Sequence, residues 1–228
     1  ITASALLGHG FACDATHSVQ LGTLTYDNCE YYCNVASPRF TTGEAFRIEP
    51  YGGTATSVNL TDCRVILNNF AYAGAGTGTW YPVYLHPVGT GTQCHTTVRN
   101  LSVVANGQRS GAGTFTFGAM DLSSTQTVYI DGVTLDVNVA SASTNSTFGI
   151  DIGRSTSNIS GVIRHVVVKQ LGDDTGPRAI IVRSTRTLAI PTQLIIEDCD
   201  FTNMPAGGTQ ILYETPSNES KVYYKSLG

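Results

Sequence analysis

Charge is scarce in this 228-residue chain: Asp, Glu, Lys and Arg make up only 13% of it, against roughly a quarter of an average globular domain. Thr, Ser, Asn and Gly must carry the surface instead. A net charge of −4 offers no basic stripe to a phosphate backbone, so no nucleic-acid partner is expected. No apolar run approaches the roughly 20 residues that cross a bilayer, so no membrane insertion is expected. Uninterrupted amphipathic runs of about 10 to 12 residues, which a helix needs, are almost absent too. His9, His17, His86, His95 and His165 are scattered without paired-ligand spacing, and nucleotide loops and nucleophile elbows are missing, so neither a metal nor a cofactor is expected.

What the chain does contain is a repeat. The pattern apolar, any, turn-former, apolar, any, apolar appears at Tyr26–Tyr31, Leu60–Val65, Val98–Val103, Ile130–Leu135, Ile163–Val168 and Ile196–Phe201, in steps of 34, 38, 32, 33 and 33 residues. Periods of this size mark stacked units, each too small to bury its own apolar face. Inside a unit the alternation has period two and is broken once by the turn residue, so each unit reads strand, turn, strand. A second file of short strands lies about 20 residues further along each unit: Phe46–Ile48, Val83–Leu85, Met120–Leu122, Ile150–Ile152, Ile180–Val182 and Ile211–Tyr213.

Two strand files per period imply an all-β solenoid of about six coils, each strand pairing in parallel with its equivalents above and below. Equivalent residues then form columns. One inward column reads Cys29, Cys63, Leu101, Val133, Val166 and Cys199, apolar or cysteine throughout. The turn column reads Asn28, Asp62, Asn100, Gly132, His165 and Asp198, rich in residues that tolerate left-handed backbone angles and can hydrogen-bond along a stack. Residues 1–22 do not fit the repeat and are expected to form an N-terminal cap or an assembly arm, with the solenoid domain spanning 23–228. The last strand-like stretch, Lys221–Lys225, is expected to add a partial coil.

These stacked coils and turn asparagines resemble the right-handed parallel β-helix proteins of the pectin-lyase-like superfamily, over roughly residues 24–225. That resemblance implies a right-handed parallel β-helix. It leaves activity open, because the scaffold serves polysaccharide lyases and hydrolases, tailspikes, adhesins and fibre subunits alike. Gly8-His9-Gly10 matches a short motif of the polygalacturonase branch, but it precedes every coil and Asp173-Asp174 lies far downstream, the reverse of that family's order.

The second strand file supplies the best catalytic candidates. Its outward column reads Arg47, Tyr84, Asp121, Asp151, Ile181 and Leu212. On adjacent coils Asp121 and Asp151 would stand about 5 to 6 Å apart, a separation that retaining glycosidases use, and their repulsion would raise one pKa. The favoured alternative is two solvated carboxylates neutralised by Arg154 or Arg183. Six cysteines and an opening Ile are consistent with a processed protein in an oxidising compartment. Cys13, Cys29, Cys33, Cys63 and Cys94 are the disulfide candidates, with at least one bridge expected from the N-terminal segment to the first coils and Cys199 expected as a buried free thiol. Asn59, Asn145, Asn158 and Asn218 begin glycosylation sequons; Asn100 begins another but sits in the turn column.

Taken together, these features lead us to expect a secreted or surface-displayed, non-enzymatic structural or adhesive module. Such a module would associate with itself, as a homo-oligomer or filament, in a fibre or viral appendage. The alternatives are a carbohydrate-active enzyme and a glycan-binding protein.

Overall fold

The computed structural model describes residues 2–4, 11–14, 22–34, 45–49, 55–72, 78–85, 93–109, 115–122, 125–140, 147–152, 159–172, 176–182, 193–213 and 222–226. Every regular element among them is a strand. In chain order these are β1 (Thr2–Ser4), β2 (Phe11–Asp14), β3 (Thr23–Asp27), β4 (Glu30–Asn34), β5 (Phe46–Glu49), β6 (Ala55–Thr61), β7 (Arg64–Tyr72), β8 (Gly78–Trp80) and β9 (Val83–Leu85). They continue with β10 (Gln93–Arg109), β11 (Phe115–Leu122), β12 (Thr125–Ala140), β13 (Phe148–Ile152), β14 (Ser160–Leu171), β15 (Arg178–Val182), β16 (Gln193–Cys199), β17 (Thr209–Tyr213) and β18 (Tyr223–Ser226).

The strands form a parallel β-solenoid. One sheet ladders β4, β7, β10, β12, β14, β16 and β18, with β3 joined through β6. The other runs β2, β5, β9, β11, β13, β15 and β17. Successive members in each sheet are about one repeat apart in sequence, and the register carries the predicted columns: Val98 pairs with Ile130, Ile130 with Ile163, and Ile163 with Ile196.

Each long coil segment bends at its turn residue without losing its ladder. Asn28, Asp62, Asn100, Gly132, His165 and Asp198 all have positive φ, between 49° and 80°. Left-handed geometry at one position reverses the alternation, so the apolar residues on both sides of it still point inward. The turn amides are not orphaned. Asn28 N–H donates to the Thr61 carbonyl at 3.0 Å and Asp62 N–H to the Arg99 carbonyl at 2.9 Å, which keeps the main chain satisfied across the bend.

The core lies between the two sheets. Cys29, Cys63, Leu101, Val133, Val166 and Cys199 are all buried, as are Val65, Val103, Leu135 and Val168 beside them and Ile48, Met120, Ile150 and Ile180 opposite. Burying this much aliphatic area, at about 25 cal/mol per Å², is what an isolated coil cannot achieve and a stack can.

Residues 1–22 lack the repeat pattern, and β1 lies in parallel on β4 and β2 on β5, so these strands rest on the chain's own first coil. The irregular, Gly-containing stretches at 52–57 and 71–79 are partly strand, because β6 starts at Ala55, β7 runs to Tyr72 and β8 starts at Gly78. Most consequentially, the second sheet is covered on both faces: all five residues of β13 are buried, as is every residue from Phe117 to Leu122. Its outer side carries a second, small core of Tyr81, Phe148 and Ile181, flanked by Tyr84 and Leu212.

Candidate functional site

Asp121 and Asp151 stand side by side, as the repeat predicts. Asp121 pairs in register with Tyr84 and with Asp151, Arg47 with Tyr84, and Asp151 with Ile181. The expectation of an outward, solvated pair fails, however: the two residues are only 1% and 0% exposed. The Tyr81 hydroxyl donates to Asp151 Oδ2 at 3.4 Å. The Tyr81 ring packs on Phe148 with centroids 5.6 Å apart and on Tyr84 at 6.1 Å, while the Arg47 guanidinium lies 5.8 Å from the centre of the Tyr84 ring.

A glycine makes this cover fit. A Cβ at Gly118 would lie 2.2 Å from Phe148 Cε2 and 2.5 Å from Tyr81 Cε1, so both rings settle onto β11 only because that position carries no side chain. Glycosidic cleavage by two carboxyl groups needs both within reach of a sugar, and one within reach of water. In this conformation neither carboxyl offers a surface to a polymer. Arg154 and Arg183, expected as neutralising partners, lie outside the described residues.

On the first sheet the outer face is open, and its polar residues form a different arrangement. The column just before the turn runs Asp27, Thr61, Arg99, Asp131, Arg164, Glu197, Lys225 in continuous register. From Arg99 onward the charge alternates at every step. Asp131 is the hub: Arg164 Nη2 donates to its Oδ2 at 2.7 Å, the Tyr129 hydroxyl to the same oxygen at 3.2 Å, and His165 Nδ1 to Oδ1 at 2.7 Å. Arg164 Nη2 also donates to the Tyr129 hydroxyl at 2.8 Å. The guanidiniums of Arg99 and Arg164 lie 5.3 and 5.6 Å from the centre of the Tyr129 ring, within cation–π range.

The hydrogen bond from Arg164, then that from His165, hold the Asp131 carboxyl down at about 2, and the same contact with Asp131 raises Arg164. These groups contact one another across three coils and clasp them together, although Arg164 Nε is buried without a hydrogen-bond partner among the described residues. Sequence reasoning did not single out Tyr129, Arg99, Asp131 or Arg164. The signal was present in the motif position treated as arbitrary, which reads Asp27, Thr61, Arg99, Asp131, Arg164, Glu197.

The turn column is only partly a hydrogen-bonded ladder. Asn100 Nδ2 donates to Asp62 Oδ1 at 2.9 Å. Gly132 then interrupts the file, and a Cβ there would lie 2.8 Å from Asn100 Oδ1. His165 turns instead to Asp131. Asn59 also lies on the outer face, its Nδ2 donating to Thr25 Oγ1 at 3.4 Å. Asn145, Asn158 and Asn218 lie outside the described residues.

Cys29 and Cys63, disulfide candidates that share a column, are not bridged to each other. Both are buried free thiols, as is Cys199, and Cys33 is buried in the same core. Instead of bonding each other, the first two point at backbone carbonyls, Cys29 Sγ at Asp27 at 3.5 Å and Cys63 Sγ at Thr61 at 3.3 Å. Burial pushes the Cys63 thiol up and the Cys199 thiol to about 11. The side chains of Cys13 and Cys94 lie outside the described residues. Among the described residues no group of three or more His, Cys, Asp or Glu side chains is arranged to hold a metal ion.

In comparisons with known proteins, no family model, no curated protein and no solved structure matches the chain.

Proposed function

We propose that this chain is a non-enzymatic structural or adhesive module, a rigid β-solenoid that works as a subunit of an extracellular or surface-displayed fibre, filament or appendage. The observation that carries this reading is the burial of Asp121 and Asp151, the best catalytic pair the sequence offers, with Asp151 accepting from the Tyr81 hydroxyl. Parallel coils with an Asn- and Asp-rich turn file support a likeness to the pectin-lyase-like β-helices, a scaffold whose non-catalytic members are adhesins and fibre subunits. A Thr- and Ser-rich outer face bearing the Asn59 sequon supports placement outside the cell.

The test is a turnover screen on acidic and neutral polysaccharides, with Asp151→Asn beside the parent protein. No release of reducing or unsaturated ends is expected from either; turnover that Asp151→Asn abolishes would overturn the reading. A second reading, glycan binding without turnover, is favoured by one observation. The Tyr129 ring lies flanked by Arg99 and Arg164 on the open face, an arrangement that suits an acidic sugar, and Tyr129→Ala abolishing saturable binding on a glycan array would establish it.

A further inference from the structure

The two ends of the stack differ from its middle. Ile211 continues the inward file of Phe46, Val83, Met120, Ile150 and Ile180. Those five are fully buried, but Ile211 is only half-buried, and Leu212 and Tyr213 beside it likewise. A groove of about 400 Å³ opens here, lined by Thr209, Gln210, Ile211, Tyr213, Val222 and Tyr224. The Tyr224 hydroxyl donates to Gln210 Oε1 at 2.6 Å, bracing one sheet against the other across this end. Tyr223 is the chain's exposed large hydrophobic among the described residues, at 58%. Among those residues, β17 and β18 each pair on one side only.

The opposite end is complementary in three respects. There, among the described residues, β3 also pairs on one side only, with β6; Thr23, Thr25 and Asp27 are exposed along it, and Leu24 and Tyr26 are half-buried. All strands of the first sheet run parallel, so a β3 edge meeting a β18 edge would extend the same kind of ladder. The columns also match in chemistry. Tyr224 ends the inward file that Tyr26 begins, and Lys225 ends the file that Asp27 begins, whose charge alternates from Arg99 onward.

We propose that the C-terminal end of the stack is a docking surface for the N-terminal end of a second copy of this chain, added coaxially and head to tail. Lys225 of one copy then stands beside Asp27 of the next, and the sign alternation continues across the junction. The contact is heterologous and uses a different surface on each copy, so repetition builds an open filament. The proposal rests on the structural reading above and names its partner.

The test is sedimentation velocity over a concentration series of the 228-residue protein, with Lys225→Glu, Asp27→Lys and an equimolar mixture of the two. The parent mass is expected to rise with concentration. Each variant alone places like charges at the junction and should raise the dissociation constant about tenfold or more. The mixture should regain assembly. Where the two variants alternate, the glutamate introduced in one faces the lysine introduced in the other at every second junction, and the native Lys225 and Asp27 meet at the junctions between. A parent protein that stays monomeric, variants that assemble like the parent, or a mixture that fails to recover while circular dichroism shows folded chains would each overturn the proposal. Polysaccharide turnover is measured independently: an inactive monomer sinks the stacking alone, and an active protein sinks the structural reading whatever its mass.

Discussion

The two outer faces of the solenoid are built on the same repeat and end in opposite states. Outside the first sheet, Tyr129, Asp131, Arg164 and His165 remain partly or largely exposed and hydrogen-bond to one another between coils. Outside the second, Asp121 and Asp151 are buried, and Asp151 accepts a hydrogen bond from Tyr81, a member of the small outer core. A repeat decides which residues are neighbours. It does not decide whether that neighbourhood meets water, and for a carboxylate this is the larger energetic question, since a buried charge needs a partner that an exposed one does not.

The contrast requires the same kind of change to cost very different amounts on the two faces. The largest effect is expected from Phe148→Ala, which removes a ring 2% exposed and should lose about 3 to 4 kcal/mol in urea unfolding. Tyr129→Ala on the open face should lose about 1 kcal/mol. Equal losses would break the comparison.

Next come the glycines. Gly118→Ala drives a methyl into the rings of Phe148 and Tyr81 and should cost about 2 to 3 kcal/mol. Gly132→Ala meets a φ of 80° and the movable side chain of Asn100, for about 1 to 2 kcal/mol. Thermal melts of the two variants side by side rank them, and a larger drop for Gly132→Ala would reverse the assignment of closed and open faces.

Smaller still is Asp131→Asn, at about 1 kcal/mol or less, because the network it removes is partly solvated. Here pH sharpens the test. The folded carboxyl titrates near 2, below its ordinary value of 3.8, so its contribution is complete above about pH 4 and is lost as pH falls toward 2. The difference between parent and Asp131→Asn should therefore shrink on acidification through that window; a difference that grows would refute the hub. The smallest effect concerns the core thiols. With Cys199 near 11 and Cys63 raised, alkylation of either at pH 8 should be negligible in the folded protein and complete in denaturant, and rapid native labelling of Cys199 by mass spectrometry would contradict its burial.

Much of this was legible because it is local and periodic. Asn28, Asp62, Asn100 and Asp198 announce left-handed turns by residue type, and Cys63, Leu101 and Val133 announce a buried file by recurring at one position. The cover over Asp151 announced nothing. Tyr81 lies 70 residues before it and belongs to no column with it. Sharing a column brings Cys29 and Cys63 near each other, yet their sulfurs turn to backbone carbonyls, Cys29 to Asp27 and Cys63 to Thr61 and to Tyr26 of the neighbouring coil.

The sequence by itself determined that the chain coils, where it turns, and which residues stack, because period, turn chemistry and inward apolarity are properties of short segments repeated in phase. Only the tertiary structure decided which stacked polar groups are hidden and which stay wet, and which strand edges go unpaired among the described residues. Those outcomes depend on single aromatic side chains and chain ends meeting across distances that no period encodes.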